Sequence, residues 1–237
     1  MNRPSLAITR LLYATQFWFL LLMWVGCVVG VVLIVAGVAL FRDITVSGWD
    51  QAVQVIRWLA LGYGTYLTGR LLSQLIAHGQ TRRDFMIHVS GFVTAVSAVL
   101  AGLMTVGYLV ERLIYRALGW PHKVDDDRLF TSSTDVAPIY ISYLVLFLVW
   151  TIIGAMLGAA FYRLEAGGAL FLPVALVLAL GSGMLIRFGG LPLFSSLPDL
   201  RDLPLAAIVG LGALIYAAGV GITWALVRDL PVRSATG

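Results

Sequence analysis

The sequence falls into apolar blocks of about 20 residues, separated by short clusters of polar and charged residues. That spacing is the strongest constraint on the fold, because about 20 residues of helix, at 1.5 Å each, match the hydrocarbon core of a bilayer. Barrel strands would alternate lipid-facing and lumen-facing residues, and no such alternation is present. Composition agrees: 60% of the residues are apolar and 12% are charged, too few to keep the surface of a soluble domain wet. The expected fold class is all-α, a polytopic membrane protein with six transmembrane helices preceded by an interfacial amphipathic helix.

Residues 1–16 mix Arg3, Ser5, Thr9, Arg10 and Gln16 with Leu6, Ile8, Leu11, Leu12 and Tyr13, a composition suited to a helix in the headgroup plane. Residues 17–237 are expected to form a single transmembrane domain with spans at about 17–41, 51–77, 85–114, 138–162, 169–188 and 205–227. The first apolar run is too long for a cleavable signal and lacks a small-residue cleavage pattern, so it is expected to stay as a membrane helix. Cys27 is the only cysteine, which excludes a disulfide framework and fits an inert core residue. The net charge of +4 is scattered over the loops and forms no stripe, so no nucleic-acid partner is expected. Basic residues divide eight and eight between the two sides of such a bundle, and charge alone does not orient it.

In the second span Tyr63, Tyr66, Arg70 and Gln74 recur at helical spacing and are expected to share a face inside the bundle or along a wet path. Arg70 either snorkels to the interface or pairs within a cavity. In the third span Ser90, Thr94, Ser97, Ala101, Thr105 and Tyr108 make one narrow polar or small face. That face either lines a substrate path or packs against another helix. His88 is expected near the interface. Close-packing steps, at an interface within the bundle or with a second copy, are marked by Gly26 and Gly30, by Gly154 and Gly158, and by Gly181 and Gly183. The polar connection at 115–137 is expected to be solvated, and the proline-rich stretch before the sixth span to lie shallowly in the membrane rim.

Between the second and third spans lies His78-Gly79-Gln80-Thr81-Arg82-Arg83-Asp84. Gly79 permits a turn, and Thr81 with Asp84 fits a capping box at a helix start. By itself this pattern fits a capped basic loop at a membrane face. The segment 76–85, with a polar helix ending in a small-residue turn, then Thr-Arg-Arg-Asp-Phe and an apolar helix, resembles the actinobacterial branch of type-2 ATP-binding-cassette (ABC) permeases. The order of six helices resembles that family over nearly the whole chain. The resemblance implies that Gln80, Thr81, Arg82, Arg83 and Asp84 form a coupling element docked on a separate cytoplasmic ATPase, which would carry the ATP and Mg. It further implies a second permease copy or a related permease, a bacterial cell membrane location, and cytoplasmic termini.

Catalysis within the chain is not expected. The only lysine, Lys123, stands in Pro-His-Lys-Val and not in a phosphate-binding Gly-Lys-Ser or Gly-Lys-Thr. Paired histidines for haem are missing from the spans, no serine stands in a Gly-x-Ser-Gly, and no metal site is expected. Glu111 is expected near a rim and the other acids in loops, which leaves no paired carboxylates in the bundle. The leading expectation is the permease subunit of an ABC exporter, with no catalytic residue or cofactor of its own, moving an amphipathic peptide, lipid or drug-like molecule. The alternative is a non-transporting membrane scaffold or accessory subunit, for which Arg82 and Arg83 would be dispensable.

Overall fold

The computed structural model describes residues 4–41, 47–77, 79–121, 123–124, 128–186 and 203–229, with side chains of 4–15, 17, 19, 20, 51 and 77 excepted. The interfacial face expected at the N-terminus, His78, the three aspartates at 125–127 and the proline-rich stretch from 187 to 202 lie outside the described side chains. The described residues are almost entirely helical, with no strand among them.

Helix α1 spans Pro4–Ala39 and α2 spans Trp49–Tyr66. A π-helical turn, Leu67–Leu71, joins α2 to the short α3, Leu72–Ala77. Then come α4, Arg82–Leu118, and α5, Val136–Leu164. A 3-10 turn, Glu165–Phe171, leads to α6, Leu172–Leu185, and α7 covers Leu205–Val227.

Among the described residues four segments are long and apolar enough to cross a membrane, Leu21–Ala39, Arg82–Leu118, Val136–Leu185 and Leu205–Val227, which is compatible with a membrane protein. This is fewer than the six expected, and two physical reasons account for the difference. The second expected span carries Arg57 and Arg70 and breaks into α2, the π turn and α3. The fourth and fifth form one apolar run whose break is a matter of backbone geometry: Glu165 takes φ 53°, and α6 turns back to pack on α5. At the N-terminus, no break separates an interfacial helix from the first span, since α1 runs through residue 16 without interruption.

The bundle is built around α5. Every residue from 149 to 160 is buried, so this helix is covered on all sides by protein. Small residues let its neighbours come close. Gly64 of α2 lies against the backbone of Thr151 and Ala155, while Gly154 lies against the Leu61 carbonyl and Gly158 against Thr65 and Thr68. Two hydroxyls then cross this narrow seam, Thr65 Oγ1 to the Gly154 carbonyl at 3.2 Å and Thr68 Oγ1 to the Ala155 carbonyl at 2.7 Å. On another side, Gly212 and Gly219 of α7 receive Val145 and Ile152. Both sets of contacts advance in the same direction along each chain, so α2, α5 and α7 run parallel.

Helices α1 and α4 run the opposite way. Gln16 meets Tyr63 and Trp24 meets Trp49, while Trp49 meets Met104 and Tyr63 meets Phe92. The bundle therefore has two unlike ends. One holds the α3–α4 turn and the ends of α5 and α7, tied together by Arg163 Nη1 donating to the carbonyls of Ala225 and Leu226. A cation at the end of a helix satisfies carbonyls that have no partner within it. The other end holds the start of α2 and the last turns of α4.

The seam makes a specific demand on size. A methyl group added at Gly154 would collide with the Leu61 carbonyl, a backbone atom that cannot turn aside. Gly154→Ala is therefore expected to cost about 1–3 kcal/mol by overpacking, seen as a lower midpoint in detergent-titrated unfolding. Gly26→Ala and Gly30→Ala, where the methyl meets open space, should leave the midpoint unchanged or raise it; equal stability of Gly154→Ala and wild type would contradict the seam.

Candidate functional site

The described residues of the turn between α3 and α4, Gly79, Gln80 and Thr81, are braced on both sides. Gly79 adopts φ 81°, a conformation that glycine reaches without strain. Its N–H donates to the Ile76 carbonyl at 2.9 Å, and the Gln80 N–H donates to the Leu75 carbonyl at 3.2 Å, closing the end of α3. Thr81, with extended backbone, caps α4: its Oγ1 accepts from the Asp84 N–H at 3.1 Å and donates to Asp84 Oδ2 at 2.7 Å. Phe85 and Met86 are buried directly behind, anchoring the first turn. Arg83 and Thr81 are exposed, and Gln80, Arg82 and Asp84 half-buried. The five residues thus form one rigid projection with cationic side chains at the end of the bundle.

The residues expected along a path are not brought to one surface. Tyr63 is buried and bonds Gln16 Oε1 at 3.3 Å, whereas Tyr66, Arg70 and Gln74 are exposed. Tyr66 stands at the edge of the buried face, and the π turn carries Arg70 and Gln74 further round, since one extra residue in a turn rotates the later residues by about 100°. On α4, Ser97, Thr105 and Tyr108 are buried, Ser90 is half-buried and Thr94 exposed. Thr94 and Thr105 return their hydroxyls to carbonyls of their own helix, Ser90 and Ala101, and Tyr216 of α7 reaches the Ser90 carbonyl at 3.3 Å. A methyl group added at Gly26 or Gly30 would meet nothing within 4 Å, Gly154 and Gly158 form the α2–α5 seam, and a methyl group at Gly181 would touch Ile215 of α7 at 3.7 Å. Gly183 is half-buried, and so is His88.

Sequence reasoning missed a polar network at the end opposite the turn. Asp50, Glu111 and Arg128 are only 5%, 8% and 7% exposed, although loop or rim positions were expected for the first two. Glu111 accepts from Ser47 Oγ at 2.5 Å and from the Trp49 N–H at 3.0 Å, placing its negative charge on the free donors at the start of α2. Ser47 Oγ in turn accepts from the Asp50 N–H at 3.3 Å. Tyr108 Oη donates to Asp50 Oδ1 at 2.5 Å and lies 2.6 Å from Tyr143 Oη. Arg128 Nε approaches the same Asp50 oxygen at 3.5 Å. Its loop is held by Phe130, packed edge-on against Tyr108, and by Asp135 Oδ2, which accepts the N–H groups of Thr131 and Ser132. Val124, Arg128, Phe130 and Ser133 of the connection expected to be solvated are therefore buried against this end of the bundle.

Part of this was written in the sequence. Ser47-Gly48-Trp49-Asp50 has the spacing of a helix cap, and Tyr108, Glu111 and Tyr115 follow at three and four on one face. Arg128 carried no such signal, because only the closure of its loop brings it to Asp50.

A second missed charge is Arg57. Its guanidinium carbon lies 5.0 Å from the Trp150 ring centroid and 5.8 Å from that of Trp58, and the two indoles meet edge to face at 5.0 Å. Trp150 is the middle residue of α5, so this cation sits about 20 Å from either end of that helix. At the centre of a bilayer an arginine costs about 2.5–3.5 kcal/mol on insertion scales, and a desolvated cation–π contact returns about 2 kcal/mol.

Compared with known proteins, the chain matches no family model, no curated protein and no solved structure. Among the described residues no group of three or more His, Cys, Asp or Glu could hold a metal ion.

Removing one member of the buried pair leaves a desolvated charge behind. Arg128→Met is expected to cost about 3 kcal/mol, and Arg128→Met combined with Asp50→Asn to recover a large part of it, measured by detergent-titrated unfolding. Strictly additive losses would show that the two side chains do not interact.

Proposed function

We propose that the chain is the membrane subunit of an ATP-driven transporter of the type-2 ABC kind, moved by a separate cytoplasmic ATPase through the α3–α4 turn. The observation that carries this reading is the construction of the turn. Thr81 and Asp84 lock it to α4, Gly79 and Gln80 lock it to α3, and Arg82 and Arg83 stand on it with Phe85 buried behind. A push on such an element is transmitted to α2, α3 and α4 because no slack chain absorbs it. The resemblance of segment 76–85 to the coupling element of that family supports the same reading.

In this scheme the turn, and with it both termini, faces the cytoplasm of a bacterial cell. The four long apolar segments, of which Val136–Leu185 supplies two crossings, α5 and α6, make up a six-crossing domain together with α2–α3. No residue of the Leu21–Ala39 window of α1 is buried, which leaves a face for lipid or for a second permease subunit. The cargo is an amphipathic peptide, lipid or drug-like molecule, since the polar positions of the second and third expected spans are rich in hydroxyls and nearly uncharged.

The test is affinity purification of the tagged protein in mild detergent, comparing wild type with Arg82→Glu/Arg83→Glu. An ATPase is expected to co-purify with wild type and to fall by about tenfold or more in the charge-reversed protein, with the unfolding midpoint unchanged. Recovery of no ATPase, or retention in the variant, would remove the transporter reading and leave a membrane scaffold.

A further inference from the structure

We infer that the exposed face of α2 and α3 holds an anionic phospholipid, with its phosphate on Arg70 and an acyl chain running over Gly62 towards Trp58. The inference rests on the helices lying in a membrane and not on the ATPase partner or the α3–α4 turn.

The first argument is the face itself. Val55, Trp58, Gly62, Tyr66, Arg70 and Gln74 are all exposed and recur at helical spacing. Residues four apart drift round an α-helix by about 40° at each step, so an uninterrupted helix would turn about 120° from residue 62 to residue 74 and carry Arg70 and Gln74 towards the core. The π turn Leu67–Leu71 takes back about 100° of this drift. The stripe therefore stays on one side, with Tyr66 at its edge.

The second argument is depth. Gly158 lies against Thr65 and Thr68, so Arg70 stands level with the last turn of α5. Tyr63 meets Phe92 on the antiparallel α4, which puts Arg70 level with residue 85, one turn in from the start of that helix. An arginine side chain at this level extends to the phosphate layer. Trp58 lies about 18 Å deeper along the helix, close to the half-thickness of about 15 Å that an acyl chain spans. Between Tyr66 and Trp58, Gly62 leaves a notch, because a methyl group there would meet nothing within 4 Å.

The third argument is chemistry. Among the described residues the Arg70 guanidinium makes no hydrogen bond or ion pair, and only its carbonyl is engaged, by Ser73 Oγ at 2.9 Å. The sequence holds no acid from residue 51 to residue 83, so no carboxylate of α2, the π turn or α3 competes for this cation. Its planar fork suits two phosphate oxygens at once, and an anionic headgroup brings no cation of its own to oppose it. Tyr66, stacked on Tyr63 with ring centroids 6.3 Å apart, stands one turn deeper, where interfacial tyrosines lie. Trp58 and Val55 continue the stripe as apolar surface. Cation, phenol and apolar surface follow in the order in which a phospholipid presents phosphate, glycerol and acyl chain.

The test uses the full-length protein in phosphatidylcholine nanodiscs that contain a small fraction of phosphatidylglycerol with a diazirine in its acyl chain, and reads the labelled residues by mass spectrometry. Wild type is expected to be labelled between Trp58 and Tyr66. That labelling should fall about tenfold in Arg70→Gln and largely persist in Arg70→Lys, as loss of a charge-assisted contact predicts. Gly62→Leu fills the notch and should lower the labelling with the unfolding midpoint unchanged, which covers the case in which Arg70→Gln does not fold. The same diazirine carried on phosphatidylcholine should label the stripe weakly, and equally in wild type and Arg70→Gln. Unlabelled phosphatidylglycerol is expected to compete and inorganic phosphate is not; displacement by phosphate would assign Arg70 to a soluble anion and overturn the lipid. Equal labelling by the two probes, or no change in either Arg70→Gln or Gly62→Leu, overturns the site. Labelling on the exposed faces of α1 and α7 reports that the protein is in the bilayer. An unlabelled stripe with those faces labelled, as a second subunit covering α2 would give, overturns the site alone. Absence of label from both faces overturns the membrane reading and the site together.

Discussion

The contact between α2 and α5 at Gly64, Gly154 and Gly158 sets the geometry of everything around it. Between helices in a membrane, lipid tails are as apolar as leucine, so burying methyl groups gives little net drive and close backbone approach matters more. Here glycines remove the side chains that would hold the backbones apart, and Thr65 and Thr68 then reach carbonyls of the facing helix. The same approach fixes the level at which Asp50 meets Tyr143 and Arg57 meets Trp150, because all three layers belong to one seam. The π turn at Leu67–Leu71 lies in this contact, and Thr68, which makes the shorter of the two crossing hydrogen bonds, is part of it.

The two ends of the bundle are built on different principles. At the α3–α4 turn the polar groups Thr81 and Asp84 satisfy one another locally, through a cap and short backbone bonds, and Arg83 is exposed at the surface. At the far end the polar groups are buried and satisfied across four separate segments, 47–50, α4, α5 and the loop carrying Arg128. A buried network of this kind is costly to leave incomplete, since each desolvated charge depends on its partners. It therefore favours a single arrangement of those segments.

Much of the fold was legible from residue types and spacing. Long apolar blocks meant helices, Thr81 and Asp84 meant a helix start, and Gly79 meant a turn, because each of these depends on a few consecutive residues. The turn between the fourth and fifth expected spans was legible in Arg163 and Glu165, the two charged residues between Val136 and Leu185, and Glu165 takes the positive φ that divides the run. The candidate site was legible at the Gln80, Thr81, Arg82, Arg83 and Asp84 turn and largely hidden elsewhere. Tyr63, Tyr66, Arg70 and Gln74 have regular helical spacing, but the inserted π residue sends Arg70 and Gln74 to another face.

The sequence by itself determined that the chain is helical, where most of its helices begin, and where a capped, cationic turn projects. Those features rest on hydropathy, capping and backbone preference, which act over one or two turns. Only the tertiary structure decided that α5 is the buried centre, that the glycine pair of α5 packs within the chain while that of α1 meets open space, and that Asp50, Glu111 and Arg128 are interior. The physical reason is that a helix apolar on every side gives no periodic signal to distinguish the face that meets lipid from the face that meets protein. That distinction, and the pairing of charges distant in sequence, comes only from the way the helices close on one another.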